Sequence, residues 1–481
     1  MTPLDDQLIA KIVGEVLSKI QLSTAQQYLP PQTSQKTAFG VFTEMADACE
    51  AAHESFLQLK KQGVSARKKA IASIRSLCTE NAEPWGKIEF LETKIGRLEH
   101  KIEKLRICAD LVPGVEMLER IAFSGDFGLT IIDFAPWGVI GAVTPSTHSI
   151  PTLTGNAINM IAAGNAVVFN PHPGASQCAA QAIQTYNQAI HQETGIPNLL
   201  CTVTKPTLES FHTMCNHPAV RLLCVTGGPA VVSAAMKTGK RAICAGPGNP
   251  PVVVDETADI PRAARAIIQG ASYDNNLLCI GEKEVFVVES VAHQLMSELR
   301  NAGAYQLDPS QIKSLAEKAF TFPQQQGAGC PHPTVNRDLV GRDAPILAQS
   351  IGLNIPPNTK LLFGQTDPQH PFVLEEQMMP FIPIVPVPDV HSAITSALAA
   401  EHGYRHTAIM HSRNIDALTE MAQILDTTLF IKNGPCMTGL GLGGEGFLSF
   451  SIATPTGEGV TTPMTFTRSR RCVMVEKLNL Y

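Results

Sequence analysis

Cys279 stands between a polar turn, Asp274-Asn275-Asn276, and Gly281, which leads into the apolar run Val285 to Val288. A thiol in that setting can occupy an accessible loop flanked by backbone N–H groups, the surroundings in which reactive cysteines occur. The chemistry open to it is addition to a carbonyl. The thiolate attacks, N–H donors hold the oxyanion, and departure of hydride to a nicotinamide leaves a thioester. Twelve cysteines share the chain, and a buried, inert thiol is the competing reading of each.

Two strand-to-helix turns have the glycine content that brings backbone N–H groups close to a phosphate. They are Thr226-Gly227-Gly228-Pro229 and Pro171-His172-Pro173-Gly174. Neither has GxGxxG spacing, and plain structural turns share their composition. A third turn, Gly246-Pro247-Gly248-Asn249-Pro250-Pro251, leads into Val252 to Val254 and reads as a hinge, a cleft floor or an ordinary crossover.

The elements that must position these residues alternate. Strand candidates at Gly138 to Val143, Ala166 to Phe169, Leu199 to Val203, Leu222 to Val225 and Ala242 to Cys244 are separated by helical windows at about 151–163, 175–191, 207–215 and 229–238. Strict alternation predicts a doubly wound parallel sheet, with ligands beyond the carboxyl ends of its strands. A helix at about Pro261 to Gln269 and strands at Val285 to Val288 and Ile382 to Pro386 predict a second α/β domain. Leu91, Ile95, Leu98, Ile102 and Leu105 form one apolar seam and predict a single long helix over 88–105 with no chemistry of its own. Near the start, Leu8, Ile9, Ile12, Val13, Val16, Leu17 and Ile20 make a short amphipathic helix, followed by a linker rich in Gln, Ser, Thr and Pro.

A length of 481 residues suggests two or three domains. With 44% hydrophobic and 17% charged residues and a net charge of −6, the chain has neither a disordered composition nor a nucleic-acid-binding field. No CxxC pair or Cys/His cluster has zinc spacing, so no metal is expected and the compartment is expected to be reducing. Absence of a membrane-length apolar run and of a secretory start leads to the expectation of a soluble intracellular protein.

In chain order, Val143-Thr144-Pro145-Ser146-Thr147, Asn170-Pro171-His172-Pro173, Val225-Thr226-Gly227-Gly228-Pro229, Gly246-Pro247-Gly248-Asn249, the Asp274 to Cys279 stretch and Glu376-Gln377-Met378-Met379-Pro380 resemble the aldehyde dehydrogenase superfamily. Lys432-Asn433-Gly434-Pro435, Gly443-Gly444-Glu445-Gly446, Ala453-Thr454-Pro455-Thr456-Gly457-Glu458-Gly459 and Arg468-Ser469-Arg470-Arg471-Cys472 are similar to its CoA-acylating branch. Within that branch the sequence most resembles the propionaldehyde dehydrogenases of propanediol-utilisation bacterial microcompartments and their acetaldehyde counterparts from ethanolamine utilisation. The resemblance implies an α/β, aldehyde dehydrogenase-like fold. Its parts would be a doubly wound parallel-sheet NAD- and CoA-binding domain (38–121 and 137–248), an α/β catalytic domain (249–435) and a small β oligomerisation flap (122–136 and 436–481). It also implies a homodimer or homotetramer, with Leu129 to Phe134 and Phe447 to Ile452 as intersubunit strands, and a targeting helix (1–21) on a linker (22–37) that meets microcompartment shell or lumen proteins.

By the same resemblance, Cys279 carries the acyl group, the oxidant is NAD, and the acceptor is coenzyme A. Thr144, Pro145, Ser146, Thr226, Gly227, Gly228 and Gly246 fall among the cofactor-binding motifs, His172 and Pro173 border the adenosine, and Glu376 accepts from ribose hydroxyls. His406 matches a histidine common in the acylating branch, where it is either catalytic or a loop residue. Hydrolytic relatives place a glutamate just before the glycine turn, where it activates water. Here that stretch reads Ile243-Cys244-Ala245-Gly246, so the thioester is expected to await the thiol of coenzyme A. His148 stands where the family usually has an oxyanion-hole asparagine, and is either a replacement donor or a turn histidine pointing elsewhere. A small aldehyde, with propionaldehyde first, is the expected substrate. Hydrolytic or phosphorylating dehydrogenases and a non-catalytic scaffold are the rival readings.

Overall fold

Short runs of Val, Ile, Leu and Cys that end in Gly, Pro or Thr are too brief for helices and apolar on both sides, so they become central strands covered on both faces. In the computed structural model, which describes residues 39–322 and 333–479, six such runs form a wholly parallel sheet. Their spatial order is Val41–Phe42, Leu200–Val203, Ala166–Pro171, Val139–Thr144, Val220–Thr226 and Arg241–Ala245. The chain moves outward from Val139–Thr144 in one direction, then returns to lay Val220–Thr226 on the other side. That reversal opens a crevice at the carboxyl ends of these strands. Helix Ser149–Ala162 is buried along its whole length behind them. The expected strands and helices of this region are present, with ends displaced by a few residues. The expected N-terminal helix and linker lie outside the described residues.

The turn from Gly246 to Pro250 carries the chain from the last strand of this sheet to Pro251–Val254 near the middle of a second. The second sheet has seven parallel strands, ordered Tyr305–Gln306, Leu362–Gln365, Phe381–Val387, Glu284–Val288, Pro251–Val254, Thr407–His411 and Leu429–Lys432. A separate antiparallel sheet joins Ile121–Gly125, Gly128–Pro136 and Thr467–Val475, leaving Ile121, Phe123, Val473 and Val475 exposed. This is the α/β architecture expected from the aldehyde dehydrogenase resemblance.

Two expectations are corrected. The single helix over 88–105 is two helices, Ala82–Thr93 and Leu98–Leu111, separated by a left-handed Lys94 (φ 57°) and Gly96 (φ 84°). A Cβ at Gly96 would meet Oδ1 of Asp274 at 2.2 Å, so the break admits the segment that leads to Cys279. The buried face of the second helix carries Lys101, Lys104, Leu105 and Cys108, whereas Leu91 of the apolar seam is 61% exposed. Buried charges paired across the fold have overridden the local hydrophobic step. The β-prone segment Phe447 to Ile452 is not an exposed strand either. Leu448, Ser449, Phe450, Ser451 and Ile452 are buried within the chain, because Ser451 and Phe450 find partners on the first sheet and its flanking turn.

Candidate active site

The carboxyl ends of three strands of the first sheet surround a cavity of about 410 Å³. Eight of the expected cofactor residues line it: Thr144, Pro145, Ser146, His172, Pro173, Thr226, Gly227 and Gly228. Val143, Leu208, Phe211 and Val231 supply apolar wall. Helix Pro229–Met236 starts here with Gly228 as N-cap and Pro229 in its first turn, so its leading N–H groups face no earlier turn of helix. A Cβ on Gly228 would meet nothing within 4 Å, and Thr144 Oγ1 is buried without a protein partner. An apolar wall beside a glycine turn at a helix N-terminus, with an orphaned hydroxyl, fits the adenosine and phosphates of a dinucleotide. Thr226 offers its backbone and methyl there, since its hydroxyl is taken by Ser451 Oγ at 2.8 Å. Gly246 and Glu376 lie outside this cavity; Gly246 packs against Pro455, where an added Cβ would sit 3.0 Å from Cγ.

Cys279 is reached through three consecutive left-handed residues, Asp274, Asn275 and Asn276, with φ of 48°, 54° and 63°. Asp and Asn tolerate this conformation best among residues with a side chain, because their short polar groups bond locally. Here each is tied down. Asn275 Nδ2 donates to the carbonyls of Gly96 and Gly341 and to Asp343, and Asn276 Nδ2 donates to the Glu282 carbonyl at 2.8 Å. Nine of the described cysteines are buried and Cys472 is exposed, whereas Cys279 keeps partial exposure. Its own N–H and that of Ile280 face Sγ. Enclosure by the surrounding protein pushes the thiol up to about 12, with Glu376 adding to the shift and Lys283 opposing it.

The second sheet and the crossover turn bring Glu376, Gly248 and His406 to the same place. The Gly248 N–H donates to Glu376, whose carboxyl is raised by burial against the opposing pull of Lys283. An added Cβ on Gly248 would fall 2.4 Å from the Cys279 carbonyl and 3.0 Å from His406 Cγ, so only glycine fits between them. His406 is fully buried, its Nδ1 bonds with Thr407 Oγ1 at 2.9 Å, and its Nε2 has no partner. Burial, reinforced by Lys283, lowers it to about 4, so the ring is neutral at physiological pH.

Beneath the Cys279 loop lies a set of buried charges that no sequence pattern announced. Asp274 contacts Lys104 at 2.5 Å and Lys101 at 3.6 Å, and Lys101 also reaches Glu89 at 3.1 Å. Lys101 Nζ donates to the Thr147 carbonyl, and Glu89 accepts from the Ile150 N–H at 3.0 Å. The set therefore ties the Cys279 loop to the turn that carries His148. His148 itself is 5% exposed, bonds through Nδ1 with Thr147 Oγ1 at 2.9 Å, and leans on Phe450 at 5.4 Å between ring centroids. Burial, with Lys104 and Lys101 behind it, drives its pKa well below the usual range and keeps it neutral. Among the described residues its polar and ring contacts do not include Cys279.

A sequence profile of the aldehyde dehydrogenase family matches residues 32–309. The acetaldehyde dehydrogenase (acetylating) of Salmonella typhimurium is 46% identical over 478 residues, 99% of this chain and 100% of its own. The chain belongs to the aldehyde dehydrogenase family. Within that family it is an acylating aldehyde dehydrogenase. The propanal dehydrogenase (CoA-propanoylating) of the same organism is 40% identical over 470 residues, 98% of each chain. Among solved structures, a Rhodopseudomonas palustris propionaldehyde dehydrogenase with bound CoA and an acylated cysteine superposes with a TM-score of 0.88. It is 44% identical and covers 92% of this aldehyde dehydrogenase and 100% of itself.

Of the residues expected to act, the aldehyde dehydrogenase fold gathers Cys279, Glu376 and His406 in one cluster and the eight lining residues in one cavity. His148 lies apart, among buried charges. Sequence reasoning missed Lys283, Lys101, Lys104 and Glu89, and read Asp274 only as part of a polar turn. Only Lys283 left a trace, as a cation between a candidate nucleophile and an apolar strand.

Proposed function

We propose that this protein oxidises a two- or three-carbon aldehyde with NAD and passes the acyl group to coenzyme A through a thioester on Cys279. The observation that carries the second half is Ala245, a side chain with no acid–base capacity where hydrolytic relatives hold their water-activating carboxylate. Cys279 gives up its thiol proton to water, its Sγ adds to the aldehyde carbonyl, and the N–H groups facing the sulfur hold the oxyanion. The glycine turn of Thr226, Gly227 and Gly228 would hold NAD, which would supply the hydride acceptor. Neutral His406, with its unpartnered Nε2, accepts the proton of the incoming CoA thiol. The CoA sulfur then attacks the acyl carbon, the bond to Cys279 breaks, and acyl-CoA leaves.

Glu376 would steady the ribose near the nicotinamide, and the segments 38–121 and 137–248 form the nucleotide-binding part opposite a catalytic part at 249–435. His148, neutral and fixed, shapes the wall beside Phe450 in this reading. The names of the relatives include both acetaldehyde and propanal. The exposed apolar residues on the Ile121–Gly125 and Thr467–Val475 strands favour a dimer or tetramer built through that sheet. A microcompartment lumen is proposed as the location, supported by a 43% identical propionaldehyde dehydrogenase from a fucose-utilisation bacterial microcompartment and by the amphipathic pattern of residues 1–21.

The test is NADH formation from acetaldehyde and propionaldehyde, with and without coenzyme A, in the parent and in Cys279→Ala. Sustained turnover is expected only with both coenzyme A and Cys279. Steady NADH production without coenzyme A would sink the acyl-transfer reading.

A further inference from the structure

Lys283 lies four residues beyond Cys279 and is fully buried. An ammonium presents three hydrogens, and all three are used on one short segment. Nζ donates to the Asn276 carbonyl at 2.8 Å, to the Leu278 carbonyl at 3.1 Å, and to Asn276 Oδ1. Among the described residues no carboxylate stands within ion-pair distance of it. Burying a cation on neutral acceptors alone is a costly way to brace a loop, since no ion pair repays the desolvation of the charge. The charge therefore needs a reason, and its surroundings supply one. Burial lowers the Lys283 pKa, while Glu376 and Cys279, then Cys436 and Glu284, pull it back up, and the same cation acts on Glu282 and His406.

We propose that Lys283 is a positioning residue for the nucleophile: its three hydrogen bonds hold the Asn276–Leu278 segment in place, and its charge offsets that of Glu376 at Cys279. The proposal rests on Cys279 being the nucleophile. The left-handed run at Asp274 to Asn276 turns the chain sharply, and without a brace inside the turn the sulfur has no fixed height above the N–H groups of Cys279 and Ile280. Lysine suits the place because a compact ammonium reaches three converging oxygens, which a planar guanidinium cannot do. The same cation helps keep His406 neutral, so one buried charge serves both the thiol and its neighbouring imidazole.

The experiment is the rate of Cys279 alkylation by iodoacetamide in the full chain, read by peptide mass spectrometry at about pH 8. That rate follows the thiolate fraction, which changes about tenfold per unit of pKa. Lys283→Gln is expected to slow alkylation about tenfold or more, to lower kcat similarly, and to leave KM for NAD within about twofold, since an opposite charge nearby is worth one to three units. Lys283→Arg, which keeps the charge but not the three converging bonds, should fall between the parent and Lys283→Gln in alkylation. A folded Lys283→Gln variant alkylated at the parent rate overturns the proposal, as does Lys283→Arg slowed as much as Lys283→Gln. Should Lys283→Gln fail to fold, Glu376→Gln decides in its place. With Lys283 unopposed the rate must rise, and an unchanged rate overturns the electrostatic balance. Cys279→Ala separates the two claims: retained CoA-dependent turnover there sinks the nucleophile assignment, whatever Lys283 does.

Discussion

Replacing Asp274 by Asn removes one charge from a buried set of four while keeping the side chain's shape. In the folded chain Oδ2 sits 2.5 Å from Lys104 Nζ and 3.6 Å from Lys101 Nζ, and Oδ1 accepts the Arg97 N–H at 2.8 Å. An amide offers one oxygen for these partners and turns its NH2 group toward either a cation or an N–H. Burial alone would raise the Asp274 carboxyl, yet Lys101 and Lys104 together hold it down at about 2 from an ordinary 3.8. That depression corresponds to about 2 kcal/mol of stability at neutral pH. Because folding lowers this pKa, the contribution is complete above the unfolded value and is lost as pH falls toward 2. The variant loses more, since a buried cation is left without its carboxylate, an effect of about 3 to 5 kcal/mol. Lys104 can relieve part of it by releasing its proton, which burial already makes easier, so the expected loss is about 3 kcal/mol. Urea unfolding of parent and Asp274→Asn at about pH 7.5 should show a clear drop in midpoint, narrowing as both are taken toward about pH 3. Equal midpoints at neutral pH, or a gap that widens in acid, would refute the reasoning.

Three other outcomes are expected. Gly248→Ala should abolish most turnover and slow Cys279 alkylation, because the new methyl would lie 2.4 Å from the Cys279 carbonyl; parent-like kinetics would mean the turn has room that the structure denies. Gly228→Val should raise KM for NAD about tenfold or more while leaving Cys279 alkylation unchanged, since φ −67° and ψ 166° suit any residue and the side chain would project into open cavity. With the thiol pushed up to about 12 by burial, alkylation of the cofactor-free chain should climb about tenfold per pH unit from about pH 7 to about pH 10, and a plateau inside that range would contradict the assignment.

The parallel strands of the first sheet, its short edge apart, were legible because their signal is local, whereas Leu362–Gln365, Thr407–His411 and Leu429–Lys432 of the second were not read. Val139–Thr144, Val220–Thr226 and Pro251–Val254 each pack β-branched residues between turn formers, and no distant contact is needed to recognise them. The turn before Cys279 was legible for a related reason, since Asp and Asn in sequence advertise left-handed backbone. What escaped was decided across the fold. Lys101 and Lys104 look like the solvated side of a helix until Asp274, more than 150 residues later, arrives between them. Gly248 reads as one more turn glycine until the Cys279 carbonyl and the His406 ring close on it. Phe447 to Ile452 has the composition of an edge strand, but the hydroxyl of Thr226 and the ring of His148 claim Ser451 and Phe450 for the interior.

The crossover at Gly246 to Pro250 has a consequence for dividing the molecule. A linker between two sheets is ordinarily where a protein engineer cuts, permutes or inserts a tag, since such joints tolerate rearrangement. Here Gly248 hands its N–H to Glu376 and leaves no room for a side chain between the Cys279 carbonyl and the His406 ring, while Asn249 Nδ2 donates to the carbonyls of Val373 and Ala400 at 3.0 and 2.9 Å. The joint therefore also fixes what surrounds Cys279. Split reporters, chimaeras and permuted termini must be placed elsewhere, and two halves exchanged between relatives must carry this turn together with the second sheet.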